Sequence, residues 1–283
     1  MIFYPTVDKS MSNSNIGARK NRNIRDHLLV INSILHDVKG DKDVNIDIET
    51  YDIKKCFDKM WSSETSNDLF DAGLDDDKIV LVANSNESCD VAIKTSWGST
   101  TERFELNNVE LQGTVITPLK CSIQLDSLGK EICSDKNLSE TLYKFKGFLK
   151  IPPLALIDDL LTINTCGINS VKMNGLVQGK VDSRRLELGN KKCFQMHIGK
   201  NRISCPTLKI DTEEMNKVTK QTYLGDIITS DAKVDENVAM RRKKGIGLVN
   251  QIFSILREIS FGKYFFSNGN DPEVSNVGEW YFI

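Results

Sequence analysis

Two aspartates side by side inside an apolar run constrain this chain more than any other feature. In PPLALIDDLLTI, residues 152–163, Asp158 and Asp159 interrupt two apolar arms, Leu154-Ala155-Leu156-Ile157 and Leu160-Leu161-Thr162-Ile163. Adjacent carboxylates in such surroundings are costly unless a cation compensates them, and a divalent metal is the usual one. Strand alternation would send the two side chains to opposite faces, so a tight hairpin turn is needed to bring both near one metal. A second acidic stretch, NIDIETYDI at 45–53, carries Asp52 close to its end. Ile46 and Ile48 alternate there with Asp47 and Glu49, and strand parity sets Asp52 opposite Tyr51 and Ile53. Those two can be buried while Asp52 faces a cleft. Two strand ends that bring carboxylates together form a magnesium site of the phosphoryl-transfer type, and Asp52 and Asp158 are expected within reach of one metal.

With 283 residues, 40% hydrophobic and 27% charged, the chain can build a real core, as one large domain or two small ones. Its seven cysteines, Cys56, Cys89, Cys121, Cys133, Cys166, Cys193 and Cys205, are scattered and form no CxxC pair. That fits reduced intracellular thiols better than a disulfide framework or a zinc site, so a nuclear or cytoplasmic location is expected, not a secreted one. Cys56 and Cys193 read as small packing residues. No apolar run is long enough to span a membrane, and no signal peptide is evident. The net charge of −2 is not that of an obvious nucleic-acid binder. Basic residues nevertheless cluster at Arg19, Lys20, Arg22 and Arg25, at Lys54, Lys55 and Lys59, and at Arg241–Lys244. Each cluster taken alone reads as a solvated helix face.

Periodicity predicts helices and strands in alternation, an α+β chain. Ile24, Leu28, Ile31, Leu35 and Val38 recur at helical spacing over 21–39, and Gly40 stops the helix. Helices are expected at 60–72 and 75–86, the latter opened by Asp75-Asp76-Asp77, an acidic first turn favoured by the helix dipole. A hairpin with Trp97-Gly98-Ser99 at its turn follows, then a helix from Pro118, another over 169–185, strands at 193–199 and 221–228, and a helix over 233–261. Residues 1–20 read as irregular and the tail after Gly269 as flexible. Asp58 reads as structural, a cap for the helix behind it, and His27, His36 and His197 have no metal-ligand spacing.

The order of these motifs resembles the reverse transcriptase of non-long-terminal-repeat, LINE-type retrotransposons. NIGARKNRNIRDHLLVINSIL at 15–35 looks like the fingers segment before the palm, YDIKKCFD at 51–58 like palm motif A, and LQGTVITPL at 111–119 like motif B. LIDD at 156–159 looks like motif C, LELGNKKC at 186–193 like motif D, and YLGDIIT at 223–229 like the primer grip. The resemblance implies a right-hand polymerase palm with partial fingers and a vestigial thumb. Residues 1–230 would be fingers and palm, the fingers at about 1–43 and 75–110 and the palm at about 44–74 and 111–230. Residues 231–283 would be the start of a thumb helix and a flexible tail.

It also implies an RNA-directed DNA polymerase that takes an RNA template, a DNA primer or target and deoxynucleotides, with two Mg²⁺ ions or Mn²⁺ in their place. Asp52, Asp158 and Asp159 would hold the metals, helped by the Ile53 carbonyl, and Lys192 would be the general acid for pyrophosphate departure. Phe57 would be the steric gate against a ribose 2′-hydroxyl, Gln112 and Gly113 would line the nucleotide and template pocket, and Tyr223, Leu224 and Gly225 would grip the primer. Arg19, Lys20 and Arg22 would contact template phosphates.

The chain departs from the family at several points. Ile157 stands where the family has Ala and Thr117 where it has Ser, and the resemblance implies that the upstream fingers segment, with its basic residue for the triphosphate, and the endonuclease domain are expected to be missing from this chain. The rival expectation is a catalytically inactive remnant that at most binds nucleic acid or a protein partner. An unrelated nuclease built on paired aspartates would not explain Gln112-Gly113 or Tyr223-Leu224-Gly225.

Overall fold

The computed structural model describes residues 4–41, 43–84, 89–106, 116–165, 167–199, 206–233 and 235–266. Its helices are α1 (Tyr4–Ser10), α2 (Ile24–Gly40), α3 (Cys56–Lys59), α4 (Ser62–Asp71), α5 (Asp76–Asn84), α6 (Thr117–Ser134), α7 (Lys136–Ser139), α8 (Ile168–Ser183) and α9 (Asp235–Phe266). The strands are β1 (Ile46–Asp52), β2 (Cys89–Val91), β3 (Phe104–Leu106), β4 (Lys144–Phe145), β5 (Leu149–Lys150), β6 (Leu154–Leu156), β7 (Asp159–Thr165), β8 (Phe194–Ile198), β9 (Lys209–Ile210), β10 (Glu213–Glu214), β11 (Asn216–Lys217), β12 (Lys220–Tyr223) and β13 (Asp226–Thr229). Helix and sheet are thus mixed along the chain. Gln112, Gly113 and the tail after Gly269 lie outside the described residues. No described helix is long and apolar enough to cross a membrane.

The chain divides into two compact units, Met1–Lys233 and Val234–Ile283. The first is organised by a five-stranded sheet in the order β11-β8-β1-β7-β6. β1 runs antiparallel to both β7 and β8, and the register pairs Asp52 with Asp159 at the end of the strands. On one face Ile46, Ile48, Leu161, Ile163, Met196 and Ile198 pack against α2 and the β12–β13 hairpin. On the other, Tyr51, Leu160 and Cys193 pack against α6 and α8. A third cluster joins α1, α4, α5 and α6 through Val7, Met11, Leu69, Val82, Leu119 and Ile123.

α2 forms for the reasons its sequence gives. Asn23 and Asp26 make a reciprocal capping box, and Leu28, Ile31, Leu35 and Val38 turn one face into the core. Ile24 opens the helix but stays exposed. Three expectations need correction. The first residues are not wholly irregular, since α1 buries Val7. The single strand expected at 221–228 is a hairpin, because Leu224 and Gly225 both take positive φ, 48° and 87°, and reverse the chain. Asp58 is exposed within α3 and caps nothing, since the residue preceding α4 is Trp61, which offers no side-chain cap.

β1 carries a further surprise. It is buried on both faces, so its alternating acids lie in the interior. Asp47 accepts from Ser170 Oγ at 2.8 Å and faces His197 Nδ1 at 2.9 Å. Glu49 Oε2 accepts from Thr162 Oγ1 and Asn164 Nδ2, both at 2.7 Å. Hydrogen bonding makes such burial tolerable and favours the charged form, but desolvation outweighs it and pushes the Glu49 pKa up to about 8.

Behind α4, Arg184 at the end of α8 clamps Asp68 with two bonds, 2.8 and 3.2 Å, and also reaches Ser127 on α6. Both partners are largely buried, which ties three helices together.

Candidate active site

Asp52 closes β1, and the backbone around it is held from the motif at 186–193. Gly189 N–H donates to the Asp52 carbonyl at 2.8 Å, Asp52 N–H donates to Cys193 Sγ at 3.3 Å, and Lys54 N–H donates to the Glu187 carbonyl at 2.8 Å. Gly189 leaves room for the Asp52 carboxylate, since a Cβ there would lie 2.7 Å from Asp52 Oδ2 and would push it aside. Glu187 also pairs with the ammonium groups of Lys54 and Lys59. Those lysines are therefore spent on an anchor between two loops.

The paired aspartates sit where the turn was expected. Leu156 pairs with Asp159, leaving Ile157-Asp158 as a two-residue hairpin loop between β6 and β7. Ile157 takes φ +55°, a costly choice for a β-branched residue. Its surroundings fix it in place. The Ile157 carbonyl accepts from Cys121 Sγ at 3.0 Å, and Gly17 lies so close beneath that a Cβ there would be 2.7 Å from the Ile157 nitrogen. Ile53 N–H reaches the Asp158 carbonyl at 3.4 Å, linking the two acidic stretches directly.

The electrostatics follow from this packing. Desolvation raises the Asp158 pKa, and repulsion from Asp52 adds to it. Asp159 is pushed up to about 6 by desolvation, then by Asp158 and Asp52. Three carboxylates thus press on one another, and the charge of Lys192, whose Nζ stands 3.0 Å from Asp52 Oδ1, partly offsets them. Its own pKa is raised by that bond first and by the Asp52 charge second. A cavity of about 700 Å³ opens beside Asp52, lined among others by Lys54, Lys55, Leu188, Gly189 and Lys192.

The donor set of hard oxygens with an ammonium already beside it fits a divalent cation by its chemistry. The side chains are not gathered into a ready cage, however. Among the described residues no group of three or more His, Cys, Asp or Glu side chains is placed to hold a metal ion. Lys192 takes one Asp52 oxygen, and the mutual repulsion of the carboxylates opposes closer approach.

The remaining expected site residues fall as follows. Phe57 is half-buried against the core beneath β1. Tyr223 is buried, its hydroxyl 3.5 Å from His27 Nδ1, so only the Leu224-Gly225 turn is open to a ligand. Lys20 is exposed, and Arg22 Nη2 donates to Asn13 Oδ1 at 2.5 Å. Arg19 is turned inward. Its guanidinium bonds the Asp8 carboxylate and the carbonyls of Asp8, Ser12 and Asn15, which leaves it little capacity for a phosphate. Sequence reasoning did not find Gly17, Cys121, Glu187 or Gly189. Gly17, Glu187 and Gly189 lie inside the motif stretches and Cys121 just after one, but their roles depend on packing across the fold.

No protein-family model matches the chain, and no curated protein matches it. Solved structures do share its fold. Apo telomerase from Candida tropicalis aligns with a TM-score of 0.53 and 13% identity, covering 83% of this chain and 39% of that one. The same enzyme truncated from its C-terminal domain gives 0.52 and 14%, over 83% and 43%. Candida albicans telomerase in complex with the TWJ fragment of telomeric RNA gives 0.50 and 12%, over 83% and 38%. The chain spans about two fifths of the length of these telomerases, and at such identities the likeness establishes the fold.

Proposed function

We propose that this chain is the fingers and palm of a reverse transcriptase from a non-long-terminal-repeat retrotransposon, built for RNA-directed DNA synthesis, with α9 as the start of a thumb. One observation carries the reading: Asp52 and Asp159 face each other across β1 and β7 with Asp158 in the adjoining strained turn. The motif order and the telomerase-like fold, an RNA-directed DNA polymerase scaffold, support it.

Asp52, Asp158, Asp159 and the Ile53 carbonyl would hold two Mg²⁺ ions, or Mn²⁺. The chemistry such ions would supply there is activation of a primer 3′-hydroxyl and stabilisation of the departing pyrophosphate. Lys192 is positioned beside Asp52 to give a proton to the leaving oxygen. Phe57 would exclude a ribose 2′-hydroxyl, and Gln112 and Gly113 would face the nucleotide and template. The backbone of Leu224-Gly225 would hold the primer end. Lys20 and Arg22, without Arg19, would contact the template phosphates. The proposed partners are an RNA template, a DNA primer and deoxynucleotides, in a nuclear or cytoplasmic setting.

The test is primer extension by the purified chain on an RNA template with Mg²⁺ and deoxynucleotides, together with binding to an RNA–DNA duplex over a salt series. Extension, and affinity that falls steeply as salt rises, is the expected result. A second reading, an inactive remnant that only binds nucleic acid or protein, is favoured by the failure of the carboxylates to gather into a metal cage as placed. Salt-sensitive duplex binding without extension would select it, and the absence of both would sink the polymerase reading.

A further inference from the structure

We propose that Cys56 and Cys121 form a redox modification site, a thiol pair that a hydroperoxide converts to an intramolecular disulfide beneath the acidic turn. The two residues lie 65 positions apart and their Sγ atoms are 2.7 Å apart, less than 1 Å beyond a disulfide bond of about 2.05 Å. Both are free thiols and both are buried. Ordinary packing would fill such a junction with aliphatic groups. Two facing sulfurs in an apolar core instead place oxidisable atoms in bonding range.

The elements around them make the reaction feasible. Cys56 begins α3, a four-residue helix entered through Lys55 in the left-handed region at φ 51° and without a side-chain cap. Access to the pair requires this short element to open locally against the Lys59–Glu187 ion pair. The void that adjoins both sulfurs, bordered by Gln124, Leu125, Leu128 and Leu186, holds only about 10 Å³, so a peroxide reaches the pair through local opening and not through a standing channel. One sulfur attacks a peroxide oxygen, the O–O bond breaks, and water leaves as the sulfenic acid forms. The other sulfur then attacks the sulfenic sulfur, the S–S bond forms, and a second water leaves. Two thiols and one hydrogen peroxide thus give one disulfide and two waters, the pair losing two electrons and two protons.

The site lies where oxidation would be felt. In the thiol form the Cys121 S–H donates to the Ile157 carbonyl at 3.0 Å, and Ile157 carries the strained turn of Asp158. Disulfide formation consumes that donor. It also ties α3, which follows Asp52, to α6. Oxidation therefore couples to both arms of the acidic site, a consequence that rests on the polymerase reading, whereas the bond itself does not.

The experiment treats the native full chain with hydrogen peroxide, alkylates the remaining thiols, and maps disulfides by mass spectrometry of non-reduced digests. A Cys56–Cys121 cross-linked peptide two hydrogens lighter than its parts, reversed by reductant and absent in Cys56→Ala and Cys121→Ser, is expected. Both cysteines recovered fully alkylated after unfolding, at a peroxide dose that oxidises exposed Cys133, would overturn the proposal. So would cross-links distributed among the seven cysteines without preference for this pair. The mapping needs no activity, so an inactive protein leaves the result readable.

Discussion

Replacing Glu49 by Gln should stabilise this protein at neutral pH, although the residue sits at the centre of the sheet. Glu49 is fully buried, and its pKa rises from 4.5 to about 8, chiefly through desolvation. The direction of the pH effect follows. The unfolded chain releases the proton near its ordinary pKa, while the folded chain keeps it until about pH 8. The contribution to stability is whole below pH 4.5 and is lost steadily as the pH rises through the folded pKa. At about 1.4 kcal/mol per pH unit, the loss by pH 7 is about 3 kcal/mol, and it approaches about 5 kcal/mol above the folded pKa. Gln is isosteric and has no proton to lose. Its carbonyl can accept from Thr162 and Asn164 as Glu49 Oε2 does, and its amide can donate toward Ser170, whose hydroxyl is in reach. The assay is urea unfolding of both proteins at pH 5, 7 and 9. The difference between them isolates Glu49, because Asp158 and Asp159 titrate alike in each. A gain near zero at pH 5 that grows to about 3 kcal/mol at pH 7 is expected. Parallel stability curves, or a Gln variant weaker at every pH, would refute the buried neutral acid.

Other outcomes follow from neighbouring residues. Asp158→Asn should lower any primer extension by several orders of magnitude while raising the melting temperature in chelator, since one of three repelling carboxylates is removed; Mg²⁺-dependent stabilisation should vanish with it, as read by thermal melts with and without the ion. Gly17→Ala should cost about 1–3 kcal/mol in chemical denaturation, because its Cβ would meet Ser122 Oγ and the rigid Ile157 backbone; an unchanged midpoint would show that the strand beside the turn yields. Arg184→Met should cost about 3–5 kcal/mol by stranding the buried Asp68, and a double change with Asp68→Leu should recover much of the loss in the same assay.

Much of the fold was legible because its signals are local. The apolar stripe of α2 and the hairpin demanded by adjacent Asp158 and Asp159 each depend on a few neighbouring residues. The parity of Asp52 against Tyr51 and Ile53 was likewise readable. What stayed hidden depends on contacts far apart in sequence. Asp47 and Glu49 looked like one half of an alternating strand, and only the helix packed over that face turns them into interior acids. Arg19 looked like a free cation until the loop around it closed on its guanidinium. Phe57 and Lys192 could be named from motif position, but the ion pair between Lys192 and Asp52 depends on how β8 is approached. Cys56 read as a packing residue because its partner lies in a helix with no sequence link to it.

The first residues of the chain do more than precede α2. Ser14–Ile16 runs along β6, with Ala155 N–H donating to the Ser14 carbonyl at 3.0 Å and Ile16 N–H to the Ala155 carbonyl at 3.1 Å. This short segment seals the open border of the sheet next to the acidic turn. Any recombinant version that begins after residue 16 would leave that border bare and prone to stick to its own kind. The same geometry offers a benefit to the experimenter. A synthetic peptide spanning the segment would have a docking rail of main-chain partners waiting for it, so the protein is a natural candidate for division into two complementing pieces whose reunion restores the turn.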